Sequence, residues 1–95
     1  MFPGVARSPI PDPALAAAVR RLREDRGLTR EHLAFRSGIT TGSLARIELG
    51  RSVPGWDTVR LLVEAFDMSL TDFVTVVEAE ATVVEAGTTV VEAES

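Results

Sequence analysis

Cysteine is missing from the chain, and histidine occurs once, at His32. The first absence excludes disulfides and thiolate metal sites, and the second excludes a histidine cluster. A chain without disulfides suits a reducing cytoplasm. Long apolar runs are also scarce. The longest, Ala14 to Val19, is far shorter than the roughly 20 residues of a membrane span, and Met1 to Pro11 has no hydrophobic signal core. Neither membrane insertion nor export is expected. There is no glycine-rich phosphate loop and no pair of carboxylates outside surface-helix or tail contexts, so catalysis and a bound cofactor are not expected either. Lysine is absent too, and all 10 basic residues are arginines.

What remains is a globular composition. Of 95 residues, 45% are hydrophobic and 25% charged, which allows one small domain and leaves no room for a second of ordinary size. The net charge of −4 argues at first against a nucleic-acid partner, but it is unevenly spread. Residues 1–74 carry 10 arginines and 9 acidic residues, whereas residues 75–95 carry 5 acidic residues and no basic one. From Arg20 to Arg51, eight arginines face four carboxylates (Glu24, Asp25, Glu31 and Glu48), a local excess of +4 that attracts phosphates.

Proline and glycine mark the boundaries. Pro3, Pro9 and Pro11 with Gly4 make residues 1–11 a flexible arm. Asp12-Pro13 reads as a helix cap with proline in the first helical position, and Leu15, Ala18, Val19 and Leu22 then recur on one face until Gly27. Thr29 caps a second helix with Leu33 and Ala34 inward, broken at Ser37-Gly38, and Thr40 caps a third ending at Gly50. After Pro54-Gly55, Val59, Leu62, Val63 and Phe66 repeat the helical spacing behind Trp56. Ser69 and Asp72 form a capping-box-like pair ahead of Leu70 and Phe73. The expected fold is all-α, with five helices in residues 12–74.

Residues 75–95 differ. Thr75-Val76-Val77-Glu78-Ala79 recurs at Thr82 and Thr89, a period of seven. Read as a helix, Leu70, Val74, Val77, Ala81, Val84, Thr88 and Val91 form a coiled-coil seam prolonging helix five. The β preference of valine and threonine and the presence of Gly87 oppose that reading, while an odd period opposes a strand. The expectation is a frayed acidic tail, ahead of a dimerising helix and of a strand. The tail is also a surface for a protein partner.

Two short helices joined by a tight glycine turn make a helix-turn-helix unit. The stretches "RRLREDRGLTREHLA", "SGITTGSLARIELGRSVP" and "WDTVRLLVEAFDMSLTDF" resemble, in order and spacing from Leu15 to Phe73, the phage-repressor and Xre-type helix-turn-helix family. The resemblance implies a five-helix repressor-like domain, followed here by the repetitive acidic tail. It also implies binding to double-stranded operator DNA as a homodimer, with half-sites about 34–36 Å apart. Carried over by position, Thr40 and Thr41, Gly42, Ser43 and Arg46 fall where the third helix meets base edges and nearby phosphates. Arg46 can bond guanine O6 and N7 together, a contact worth about 1–3 kcal/mol of discrimination. Gly42 lets the backbone approach the duplex closely; alternatively, it is merely tolerated in a frayed first turn. Arg30 is expected to clamp a phosphate, and Arg36 and Arg51 are secondary phosphate candidates. Arg23 and Glu48 match an ion pair of the family, with a structural and not a catalytic role.

Leu49 and His32 depart from the family pattern, and with the missing lysines they weaken the electrostatic footprint. The rival expectation is a protein-interaction module, adaptor or antitoxin-like, on the same fold without sequence-specific DNA binding. The two readings part on whether Thr41, Ser43, Arg46 and Arg30 line one exposed face, with the acidic tail directed elsewhere. A tail covering that face would compete with DNA.

Overall fold

The computed structural model describes residues 12–94, with side-chain surroundings as far as Val84. The arm expected at 1–11 lies outside the described residues, as do the side chains of Thr88 and Val91. Five helices follow one another: α1 Pro13–Asp25, α2 Arg30–Ser37, α3 Thr41–Glu48, α4 Trp56–Ala65 and α5 Leu70–Glu94. No strand occurs among the described residues. Four helices start where a side-chain oxygen satisfies an otherwise unpaired N–H. Asp12 accepts from Ala14 at 2.9 Å, while Thr29 accepts from His32, Thr40 from Ser43 and Ser69 from Asp72, each at 3.0 Å. Gly55, ahead of α4, contributes no side-chain cap.

The periodic apolar residues converge as their spacing requires. Val19 and Leu22 from α1, Leu33 and Ala34 from α2, Leu44 and Ile47 from α3, and Leu62, Val63 and the adjoining Phe66 from α4 form one core with Phe73 of α5. Leu15 and Val59 lie partly buried at its edge. Arg26 closes one side: its Nε donates to the Phe66 carbonyl at 3.0 Å, and its guanidinium sits 5.3 Å from the Phe66 ring centroid.

The link from α2 to α3 is a short turn pivoting on Gly38. Its φ of 78° lies in the left-handed region, and the N–H groups of Gly38 and Ile39 both bond the Ala34 carbonyl, at 2.9 and 3.1 Å. A Cβ on Gly38 would meet nothing within 4 Å, so the demand for glycine is purely conformational.

Beyond residue 74 the structure corrects the expected frayed tail. The boundary placed between 74 and 75 falls inside α5, which continues unbroken. Tertiary contact outweighs β preference here. Phe73 is buried, Val76 and Val77 pack partly against the core, and Glu80 is only 8% exposed. Glu80 Oε1 accepts from Arg21 Nη1 of α1 at 3.0 Å. That hydrogen bond and the carboxylate's charge raise the Arg21 pKa above its ordinary value, with Asp25 adding to the effect. The threonines also fit the helix: Thr75 and Thr82 donate to the carbonyls of Thr71 and Glu78, at 3.0 and 3.3 Å. The stripe that docks, Phe73, Val76, Val77 and Glu80, shares Val77 with the expected seam and otherwise runs beside it, leaving Leu70 and Val74 exposed.

Replacing Gly38 by alanine forces a Cβ into left-handed backbone and is expected to lower stability by about 1–2 kcal/mol. Urea denaturation of Gly38→Ala beside the wild type measures this, and equal midpoints would refute it.

Candidate nucleic-acid interface

Helix α3 is one-sided. Leu44, Ile47 and Glu48 are buried, while Gly42 and Arg46, four residues apart and on the opposite side, are exposed along with Thr41. A hydroxyl relay orders the start of this face. Thr40 Oγ1 accepts the Ser43 N–H and donates to Ser43 Oγ at 2.9 Å, and Arg46 Nη2 donates to the same Oγ at 3.3 Å. With both lone pairs of Ser43 Oγ used, its own proton remains to donate outward. A Cβ on Gly42 would meet only Arg46 Nη1, at 3.9 Å, so nothing within the protein requires glycine at this position.

The back of α3 ends in a buried ion cluster. Both oxygens of Glu48, whose side chain has no solvent exposure, are engaged by Arg23: Nε to Oε2 at 2.7 Å and Nη2 to Oε1 at 3.0 Å. This is a two-pronged contact suited to the planar guanidinium. Arg23 Nη1 also donates to the Leu28 carbonyl at 2.8 Å. The bonds to Glu48 hold the Arg23 pKa above its ordinary value, against a lowering by burial. Arg30 joins the cluster, its Nε donating to Glu48 Oε1 at 3.0 Å. The residue expected to clamp a phosphate is thus tied inward by one nitrogen. Its side chain remains 37% exposed, and its two η nitrogens have no partner among the described residues.

Two further sets of arginines stand apart from Arg26, which is held on Phe66, and from Arg60 on α4. On α1, Arg20 pairs with Glu24 and Arg21 with Glu80 and Asp25, at 3.0–3.9 Å. Arg36, Arg46 and Arg51 have no carboxylate partner among the described residues, and they lie on α2, on α3 and just beyond α3. The structure therefore brings Thr40, Ser43 and Arg46 together beside Gly42, and Arg23, Arg30 and Glu48 together behind them. The side chains of Arg36 and Arg51 form no hydrogen bond or ion pair with either group, although the Arg51 N–H bonds the Arg46 carbonyl at 2.8 Å. The acidic helix α5 lies against α1 and α4.

Sequence reasoning missed Glu80, whose signal was its spacing of seven from Phe73 along the inward stripe. It also missed Phe35, which stands 87% exposed on α2 directly opposite that helix's buried side. Among the described residues no cluster of three or more acidic or histidine groups is placed to hold a metal ion, and no helix is long and apolar enough to cross a membrane.

Two short capped helices meeting at a left-handed glycine, the second with a free outer face, define a helix-turn-helix protein. The chain belongs to the helix-turn-helix domain family, whose model matches residues 14–73, and its fold is that of DNA-binding transcription regulators of the Xre-like kind. The crystal structure of the clp gene regulator ClgR from Corynebacterium glutamicum is similar over 90% of this chain and 90% of its own, at 26% identity and a TM-score of 0.80. The restriction-modification controller protein C.AhdI from Aeromonas hydrophila is similar over 64% of this chain and 92% of its own, at 26% identity and a TM-score of 0.62. Wild-type controller protein C.Esp1396I shares the fold, at 19% identity over 73% of this chain and 88% of its own, with a TM-score of 0.69. A search of curated proteins found no match. Similarity over 90% of the chain cannot stop at residue 73, so the likeness to ClgR takes in part of extended α5.

Substituting Glu48 by glutamine strands the buried Arg23 charge and is expected to cost about 3–5 kcal/mol. Arg30→Ala is expected to cost less, because Glu48 keeps both bonds to Arg23. Thermal and urea unfolding of the two variants side by side checks the ranking, and a larger loss in Arg30→Ala would reverse the assignment.

Proposed function

We propose that this chain is a sequence-specific transcriptional regulator that lays α3 in the major groove of double-stranded DNA. In this reading Arg46 reads a base edge, and Thr41 and Ser43 contact neighbouring bases or phosphates. The observation that carries it is the outward face of α3: Gly42 and Arg46 are exposed while the rear of the same helix is buried and pinned through Glu48. Arg36, Arg51 and the outer nitrogens of Arg30 supply phosphate contacts, and Thr40 presents the start of the helix. The packing of α5 against α1 and α4 supports a tail directed away from this face, in place of an autoinhibitory cover. ClgR is a gene regulator and C.AhdI a restriction-modification controller protein, which favours the same role here. The regulator acts as a homodimer on an inverted repeat, in the cytoplasm, with no catalysis and no cofactor. A protein partner on the C-terminal stretch is a further element of the proposal, supported by the exposed Val83 of α5.

One observation favours the rival reading of a protein-interaction module: Phe35, beside Arg36, presents nearly its whole ring to solvent. The deciding experiment is selection from a random duplex library at moderate salt, using the wild type and Arg46→Ala. A two-fold motif enriched by the wild type and relaxed at one base pair per half-site in the variant is expected, with about 1–3 kcal/mol of discrimination lost. A folded protein that enriches no motif moves the assignment to the interaction module.

Gly42→Ala separates the two readings of that glycine. Alanine is the better helix former by up to about 1 kcal/mol, and the site has room for it, so stability is expected to rise. Operator affinity is expected to fall if the backbone approaches the duplex closely. Unchanged affinity, by titration on the selected site, would leave Gly42 a tolerated residue.

A further inference from the structure

Arg46 turns back along α3 toward the start of the helix. Its Nη1 would stand 3.9 Å from a Cβ on Gly42, and its Nη2 donates to Ser43 Oγ at 3.3 Å, following the N-terminal lean of helical side chains. The guanidinium is therefore carried over the first turn, at the level of residues 42 and 43. A neutral hydroxyl seats it and no carboxylate pairs with it among the described residues, so its charge is undiminished. Ser43 Oγ is fixed in turn by the Thr40 hydroxyl, which donates to it at 2.9 Å. With both lone pairs taken, Ser43 Oγ has a proton to give and no acceptor to offer. Thr40, Ser43 and Arg46 succeed one another at steps of three, along one side of the helix.

We infer that this relay is a donor-only reader of adjoining base edges, in which Thr40 sets the polarity of the Ser43 contact; the inference rests on the reading that α3 enters the major groove, and adds which bases are accepted there. In that groove guanine shows a pair of acceptors, thymine a single acceptor, adenine an acceptor beside an amino donor, and cytosine only its amino donor. The free part of the Arg46 fork is matched by the paired acceptors of guanine. The Ser43 proton beside it needs an acceptor on the adjoining base, and a cytosine amino group there would meet it donor to donor. The wrong base is rejected because it leaves a polar group without a partner. Thr40 is a positioning residue: it acts by filling the lone pair through which Ser43 would otherwise accept. Ser43 and Arg46 are coupled as well, since loss of the hydroxyl frees the guanidinium to leave its seat over residues 42 and 43.

Titration on the duplex selected by the wild type, and on duplexes changed at single base pairs, tests the relay. Thr40→Asn keeps an oxygen able to cap α3 but has no hydroxyl proton to give, so Ser43 donates inward and presents a lone pair instead. The wild type is expected to reject cytosine at the position Ser43 faces by about tenfold. Thr40→Asn is expected to accept it to within about threefold, with the guanine preference opposite Arg46 kept. Ser43→Ala is expected to weaken binding about tenfold where Arg46 is present and no more than about threefold in the Arg46→Ala background, the mark of coupled contacts. Ser43→Thr, which retains the hydroxyl, is expected to keep the wild-type base preference. Circular dichroism of each variant confirms folding. Equal losses from Ser43→Ala in both backgrounds would overturn the relay while leaving the groove reading standing. So would a Thr40→Asn variant that still rejects cytosine, or that binds every duplex more weakly by one factor, the pattern of a phosphate contact. A folded wild type that enriches no motif would overturn both.

Discussion

A single carboxylate, that of Glu48, holds the functional unit in shape. Fully withdrawn from water, it must be matched by charge and by hydrogen bonds, and Arg23 and Arg30 do both with three bonds of 2.7–3.0 Å. These residues come from three different helices, and Arg23 also bonds the Leu28 carbonyl. Helices of eight residues such as α2 and α3 have little stability alone. The ion cluster and the Leu33, Leu44 and Ile47 contacts give them a fixed mutual setting. Since Glu48 faces inward, Gly42 and Arg46 on the same helix have to face outward. The internal charge pair thereby dictates which side chains are presented to a partner.

The division of the arginines follows from this arrangement. A local excess of four positive charges in the sequence says nothing about which of them an external anion can reach. In the folded chain the α1 arginines are spent on Glu24, Asp25, Glu48 and Glu80, and Arg26 is drawn onto Phe66. Of those without a carboxylate partner among the described residues, Arg36, Arg46 and Arg51 lie on or next to α2 and α3, while Arg60 lies on α4. The accessible charge is smaller than the composition implies, but it is better placed, and what it contributes to DNA affinity falls with salt.

Much of the fold was legible because its signals are local. Asp12, Thr29, Thr40 and Ser69 each cap a helix through a contact spanning two or three residues, and Gly38 takes the left-handed turn the chain needs there. What was hidden depends on contacts distant in sequence. The valines and threonines after residue 74 point locally toward β structure, and only the arrival of α1 alongside Phe73, Val76 and Glu80 settles them as helix. The inward bond of Arg30 was invisible for the same reason, because it exists only once α2 and α3 are packed. The α3 face was legible in position, through the spacing of Gly42 and Arg46, while the relay through Thr40 and Ser43 required the geometry.

The burial of Glu80 bears on how the repeat behind it is able to change in length. With Phe73, Val76 and Val77, Glu80 fixes the angular phase of α5 on the domain, its carboxylate meeting Arg21. Inserting a single residue before it would rotate everything beyond by about 100° relative to the domain, the angle per residue of a 3.6-residue turn. A whole seven-residue unit is nearly two full turns and shifts the phase by only about 20°. Copies of the Thr-Val-Val-Glu-Ala unit can thus be gained or lost beyond the docking stripe by heptads with the helix face almost preserved. The repeat is an extensible rod whose rotational setting is inherited from the stripe of Phe73, Val76, Val77 and Glu80 at its base.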